Sequence, residues 1–399
     1  MLTASRARAD ANAVREALGR RRDVRDGGAY VTVFEEGGGD GPLANVPIAI
    51  KDLVDVAGHR TRCGSPVREA APPATRDAAI VTRLRECGAR LVGKTGLVEF
   101  AFGATGINEW EGTPRNPHDP TRIPGGSSSG SAVAVAEGSA AAAIGTDTGG
   151  SVRIPAALCG IVGVKPSFGL VSVAGVFPLA PNLDHVGVLA PDVASARAVL
   201  GTLARIDTGR APRVVGIDRR AIGDSTPEVA HAIEDALRRW SVELRDVALP
   251  DPEDVVATTT TLLYYEAAQV HRPILATLRE RYGPYVRARL ERALGFSARD
   301  YETARAAQRR MREHVERLFR DVDVVASPTV GFVAPTLEDA RAPETSTNLV
   351  RFTRLWNAVH FPAISVPVPA SGLPVGLQLA ARDDADALAA AASFERAVA

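Results

Sequence analysis

The chain has 399 residues, with 47 lysines and arginines against 47 aspartates and glutamates. A net charge of zero leaves no electrostatic footprint for direct nucleic-acid binding, and three scattered cysteines, Cys63, Cys87 and Cys159, without CxxC spacing, suggest neither a disulfide framework nor a zinc site. With no apolar run of about 18 residues and no legible signal peptide, a cytoplasmic enzyme that does not engage a membrane is expected.

Short apolar runs predict strands at about 46–51, 90–93, 141–146, 161–164, 213–217, 322–326, 364–368 and 375–380, alternating with helical stretches. Such alternation predicts an α/β fold, one sheet covered by helices on both faces. The first run ends in Lys51, and a strand that carries a lysine out of apolar sequence can desolvate the amine and lower its pKa toward that of a useful base. On its own, the same residue reads as an ordinary strand-end lysine.

Further along, Gly88 to Thr95 satisfies the Walker A pattern letter for letter. Its lysine follows the strand at Arg90-Leu91-Val92 instead of opening a helix, so phosphate binding is not expected. Gly126-Ser127-Ser128-Ser129-Gly130 likewise satisfies the G-x-S-x-G nucleophile elbow, with Ser128 in the central place. Residues 115–124 hold three prolines and cannot supply the strand that an elbow needs. None of the seven histidines occupies a distinctive site, His59 being the nearest to one.

The densest signal is Gly125 to Ser151, a stretch in which most residues are too small to build a core. It holds a serine cluster at 127–129, an alanine-rich run and a second tight turn, Thr148-Gly149-Gly150-Ser151. Glycines at a turn let consecutive backbone N–H groups face one small space, the arrangement of an oxyanion hole. Taken singly, Ser127 reads as a helix N-cap and Ser151 as a turn serine. Asp147 and Arg153 flank that turn as a candidate ion pair. Beyond it, residues 226–320 read as strongly helical, with Pro227 near one helix start and a long charged helix at about 298–322. Tyr264, Tyr265, His271, Arg272, Tyr282 and Tyr285 gather in that region, and each alone reads as helix packing.

Three segments together, Gly41 to Asp52, Gly125 to Ser131 and Gly145 to Pro155, resemble the amidase signature family. Gly93 to Phe100, Cys159 to Pro166, Leu183 to Gly187, Pro362 to Pro367 and Gly372 to Gln378 match further blocks of it, so nearly the whole chain is covered, least distinctively at about 205–320. Asn45 departs from the glycine usual before Val-Pro, and 399 residues is short for the family, which can trim elements of the substrate pocket. The resemblance implies one domain over 1–399 around a mixed, twisted sheet. It has a signature core at about 41–190, a helical substrate-cavity region at about 226–320, and C-terminal strands and a helix at about 322–399.

For the site, the resemblance implies Lys51 as base, Ser127 as a bridging serine after a cis peptide bond and Ser151 as nucleophile; the two serines lie 24 positions apart, as in the family. The N–H groups of Thr148, Gly149 and Gly150, with that of Ser151, are the candidate oxyanion donors. An amide needs both services, since its carbonyl is a poor electrophile and its nitrogen a poor leaving group; one oxyanion donor is worth roughly 3 kcal/mol. The expectation is a serine amidohydrolase for a small-molecule amide, with no metal or organic cofactor and with a homodimer admitted. Two alternatives are the glutaminase subunit of a tRNA-dependent amidotransferase and a scaffold homologue that has lost catalysis.

Overall fold

Ile48 and Ile50 pack into one large apolar cluster while Ala49, between them, packs into another. This is the two-residue alternation of a strand buried on both faces, here β2 (Pro47–Lys51). The computed structural model describes residues 2–9 and 11–399. Its remaining strands are β1 (Tyr30–Gly37), β3 (Arg90–Thr95), β4 (Ala142–Asp147), β5 (Val162–Lys165), β6 (His185–Ala190), β7 (Val214–Ile217), β8 (Glu243–Asp246), β9 (Val324–Pro328), β10 (Ala363–Val368) and β11 (Val375–Ala381).

They form one sheet in the order β1-β3-β2-β4-β6-β5-β10-β11-β9-β7-β8. It is mixed: β2 runs parallel to β3 and β4, β7 runs parallel to β8 and β9, and the central strands pair antiparallel. Each strand read from the sequence is present within two residues of its expected place, inside one α/β sheet covered by helices. Three strands went unread: β1, β6 and β8. The two outermost of them, β1 and β8, are the sheet's edges, where half the positions face solvent and the apolar signal thins.

The face carrying Ala49 is lined by small residues, and the helix Ser129–Ala136 packs on it through Ala132 to Val135. Close approach is built in. A Cβ on Gly145 of β4 would stand 2.8 Å from Ser128 Oγ, so the serine cluster lies directly on the sheet. Lys51, two residues past Ala49, emerges on this same face. Asn45, where the resemblance leads one to expect glycine, has φ 58. This left-handed conformation suits glycine and is tolerated by asparagine.

The helical region contains Pro252–Leu278, Pro284–Ala293 and Ala298–Leu318, the last closed at its start by a Ser297/Asp300 capping box. Pro227 stands in the first turn of Pro227–Arg239. All three cysteines are free and buried. No described helix is long and apolar enough to cross a membrane.

Candidate active site

Lys51 is fully buried at the end of β2. Its Nζ lies 2.7 Å from Ser127 Oγ, 2.9 Å from Ser128 Oγ and 2.8 Å from Thr146 Oγ1. It forms no ion pair among the described residues. Burial is the main force on the amine and lowers its pKa to about 7, against the upward pull of the Asp147 and Asp184 charges.

A neutral amine offers two hydrogens and one lone pair. Ser128 donates its own proton to Thr146 O at 3.2 Å, so it can only accept from Lys51. Ser127 and Thr146 are therefore the two hydroxyls able to donate to the lone pair. Neither Ser128 nor Thr146 was singled out as a partner of the lysine from the sequence.

Ser127 follows a cis peptide bond from Gly126. The helix N-cap position falls to Ser128, which makes no side-chain cap bond, so the serine hydroxyls that could have capped this helix are turned to Lys51. Ser151 lies just before the helix Arg153–Cys159, and its carbonyl accepts from Ser128 N at 3.2 Å. It keeps 8% of its surface, and its hydroxyl has no hydrogen-bond partner among the described residues. Lys51 and Ser127 are thus in direct contact, whereas the Ser127 and Ser151 segments meet through the backbone without a hydroxyl-to-hydroxyl bond.

The turn before Ser151 is held from below by Asp147. Its Oδ1 accepts from Gly150 N at 2.8 Å and its Oδ2 from Val152 N at 3.1 Å. This corrects one expectation: the Gly150 N–H points into the support and not toward a substrate. The N–H groups of Thr148, Gly149 and Ser151 have no acceptor among the described residues.

Arg153 completes the support, and every one of its five N–H groups finds an acceptor. Nε and Nη2 grip Asp147 at 3.1 and 2.9 Å, and the rest reach Thr353 O, Gln378 Oε1 and Asn357 Oδ1. Burial opposes ionisation of Asp147, but the Arg153 guanidinium overrides it and holds the carboxyl well below the usual range. Both side chains are fully buried. The ion pair read from the sequence is therefore the base of the turn.

The competing motifs resolve structurally. Lys94 lies inside β3 in a buried ion pair with Asp52 at 2.7 Å, and it donates to Thr61 Oγ1 at 2.9 Å. Ser128, the would-be elbow nucleophile, is held between Lys51 and Thr146, and the chain before it forms no strand from residue 96 onward. His59 is tied to Glu36 at 2.6 Å and stacks on Phe34. His185 lies nearer the turn, with Nδ1 donating to Leu183 O at 2.7 Å; burial pushes its pKa well below the usual imidazole range.

Two cavities flank these elements. One of about 170 Å³ is lined by Val98, Ile107, Trp110 and Tyr285, and Val98 N donates to Ser127 O. The other, of about 490 Å³, takes Tyr264 into its wall along with four arginines. Tyr282 instead shares a hydrogen bond of 2.9 Å between its hydroxyl and Nδ1 of the buried His271, beside Phe100.

A family model described as Amidase matches residues 28–389. The chain belongs to the amidase signature family. Among amidase relatives, it is 37% identical over 380 residues to a 2-amino-5-chloromuconic acid deaminase of Comamonas testosteroni, covering 88% of this chain and 80% of that one. It is 34% identical to a fatty acid amide hydrolase of Arabidopsis thaliana, covering 91% of this chain but only 66% of the plant protein's length. The A-subunit of the glutamyl-tRNA(Gln) amidotransferase of Methanospirillum hungatei is also 34% identical, over 89% of this chain and 93% of its own.

Among solved structures, one described as an amidase superposes with a TM-score of 0.83 at 34% identity, covering 100% of this chain and 91% of its own. The corresponding A-subunit from Thermotoga maritima superposes with a TM-score of 0.87 at 29% identity, over 99% and 94% of the two chains. Members of the family are hydrolytic enzymes of amide C–N bonds, and this amidase is one of them.

Proposed function

We propose that the protein is a serine amidohydrolase in which Ser151 attacks the amide carbonyl, with neutral Lys51 drawing its proton by way of Ser127. The observation that carries this reading is the Lys51 amine, enclosed among hydroxyls 2.7 Å from Ser127 Oγ with its pKa lowered to about 7. As the Ser151 Oγ–C bond forms, the carbonyl π pair moves onto oxygen, and the N–H groups of Gly149 and Ser151, with that of Thr148, are the donors available to it. The Ser151 proton passes to Ser127 while that of Ser127 passes to Lys51. Return along the same path protonates the departing nitrogen as the C–N bond breaks, leaving an acyl ester on Ser151. Water, deprotonated through the same relay, then frees the acid.

A second reading is favoured by the 93% of the Methanospirillum hungatei amidotransferase A-subunit that the chain spans: it would make the protein a glutaminase working beside partner polypeptides. Ammonia release from glutamine, with co-elution of such partners, would select it. The principal test is a panel of aliphatic, aromatic and peptide-like amides scored for ammonia or amine release, with Ser151→Ala as control. Release by the wild type and none by the variant is the expected result; equal release by both rejects the assignment.

A further inference from the structure

We infer that a further cavity, beside the buried Lys94–Asp52 ion pair, seats a phosphate group. It has a volume of about 320 Å³, and its wall includes Arg25, Arg60, Arg62, Trp110 and Glu111. Lys51, Ser127 and Ser151 take no part in it, so the inference does not rest on the reading of Ser151 as nucleophile. Neither the Arg60 nor the Arg62 guanidinium has a hydrogen bond or an ion pair among the described residues. Arg25 has only the exposed Asp23, at 3.9 Å. Glu111 is 7% exposed, and its Oε2 is enclosed without a hydrogen-bond partner. Buried polar atoms nearly always have one. An unmet carboxyl oxygen and unmet guanidiniums in the same wall therefore point to a ligand in the space they share.

The wall is held in place before any ligand arrives. Lys94 donates to Arg60 O at 3.1 Å and to Thr61 Oγ1 at 2.9 Å, while Asp52 Oδ2 accepts from Arg62 N at 3.0 Å. The segment that carries both arginines is thus tied to a buried ion pair. Asn108 fixes Trp110 and Glu111: its Oδ1 accepts from their N–H groups at 2.9 and 3.0 Å, and its Nδ2 donates to Gly64 O and Leu97 O. Arg25 packs against Gly112, where a Cβ would lie 3.1 Å from Arg25 Cα. Groups ordered in advance lose little freedom on binding.

The charges select the ligand. Burial, helped by the Asp52 charge, raises the pKa of Glu111 to about 8 against the pull of Arg62, Arg25 and Lys94. Near pH 7 it is a neutral hydrogen-bond donor. Cys63, which also faces it, is a thiol whose pKa burial pushes up. The cavity's other carboxylate, Glu69, is paired with Arg281 at 2.9 Å. Three guanidiniums and a carboxyl hydroxyl are then left to one anion. A carboxylate, with two oxygens, is filled by a single guanidinium fork, whereas a phosphate brings three terminal oxygens and nearly two charges and can be met from several sides. Trp110 adds an exposed apolar surface that the organic part of a phosphomonoester can cover.

The test is calorimetry on the whole protein at about pH 7 with phenyl phosphate, inorganic phosphate and, as the carboxylate control, benzoate. At least one of the phosphates should bind with a dissociation constant of about 1 mM or less, and roughly 10-fold more tightly than benzoate. Tighter binding of phenyl phosphate marks a site for a phosphomonoester, and equal or tighter binding of inorganic phosphate a site for the free ion; either supports the seat. Arg60→Gln and Arg62→Gln should each weaken binding roughly 10- to 100-fold. A phosphomonoester is already close to a dianion at pH 7, so a further change with pH reports the wall. Above about pH 8, Glu111 ionises, loses its donor and repels the anion. The affinity for whichever phosphate binds should fall roughly 10-fold from pH 7.5 to 9.5. In Glu111→Gln, which keeps a donor without ionising, it should stay level. Thermal unfolding shows independently that each variant is folded. No phosphate binding at about 1 mM or tighter, benzoate bound as well as either phosphate, an affinity unchanged in both arginine variants, or the same fall with pH in Glu111→Gln overturns the seat.

Discussion

Lys51 Nζ stands 2.7 Å from Ser127 Oγ, and its other two polar neighbours are also hydroxyls. With no carboxylate in contact to hold the proton, burial leaves the amine with a pKa of about 7. As the base, Lys51 must be neutral, so kcat/KM should rise with pH, reach half its maximum near pH 7 and level off above. Initial rates on a slow amide across about pH 5.5 to 9.5 check this. A profile flat through that range, with chemistry rate-limiting, contradicts it.

The same burial has a signature in stability. Lys51 and Lys165 both have pKa values lowered from 10.5 to about 7 by burial. Between about pH 7 and 10.5 the unfolded chain binds protons that the folded chain does not, so these two groups make stability rise with pH through that window. Urea midpoints at pH 7 and 8.5 should show the rise, and Lys165→Met should show a smaller slope. An identical slope in the variant would remove Lys165 from the account.

Ser127 and Ser128 both touch the lysine, but only Ser127 has its proton free for the relay, since Ser128 gives its own to Thr146 O. Ser127→Ala should lower kcat by roughly 10³-fold or more, and Ser128→Ala by roughly 10-fold through looser placement of the amine. Single-turnover rates on both variants decide it, and equal losses would argue against Ser127 as the bridge.

Arg153→Met leaves the Asp147 charge buried without its partner. Removing one member of such a pair costs about 3–5 kcal/mol, and the loss should appear in the denaturation midpoint as well as in activity, because Asp147 also holds Gly150 N and Val152 N. A midpoint within error of the wild type would show that the pair does not support the turn.

Gly150 has φ +127, and a Cβ there would fall 2.3 Å from Thr353 Oγ1. Gly150→Ala should therefore displace the Thr353 brace on Gly149 and cost on the order of 2 kcal/mol or more. Thermal unfolding measures it, with a silent substitution as the contrary outcome.

Much of this was legible in the chain because chemistry here is concentrated in glycine-rich turns. Lys51 stands out at the end of an apolar run and the interior strands by their own apolar runs, whereas the serines at 127 and 151 are picked out through the resemblance to the amidase signature family. What escaped has physical reasons. β8 reads Glu243-Leu244-Arg245-Asp246, an edge strand with little apolar pattern. Thr146 is one threonine inside a buried strand, with nothing to mark its hydroxyl as a partner of the lysine. The Gly150 N–H was read as an oxyanion donor because a Gly-Gly turn does not reveal which way each amide faces.

The central claim is that Ser151 is the nucleophile and Lys51 the group that activates it. The direct measurement is peptide mass mapping after treatment with a fluorophosphonate at about pH 8, following the labelling rate in wild-type and Lys51→Ala protein. The account predicts a single adduct on Ser151, formed at least 10³-fold more slowly in the variant. An adduct on Ser127 or Ser128, or an unchanged rate without Lys51, would contradict it.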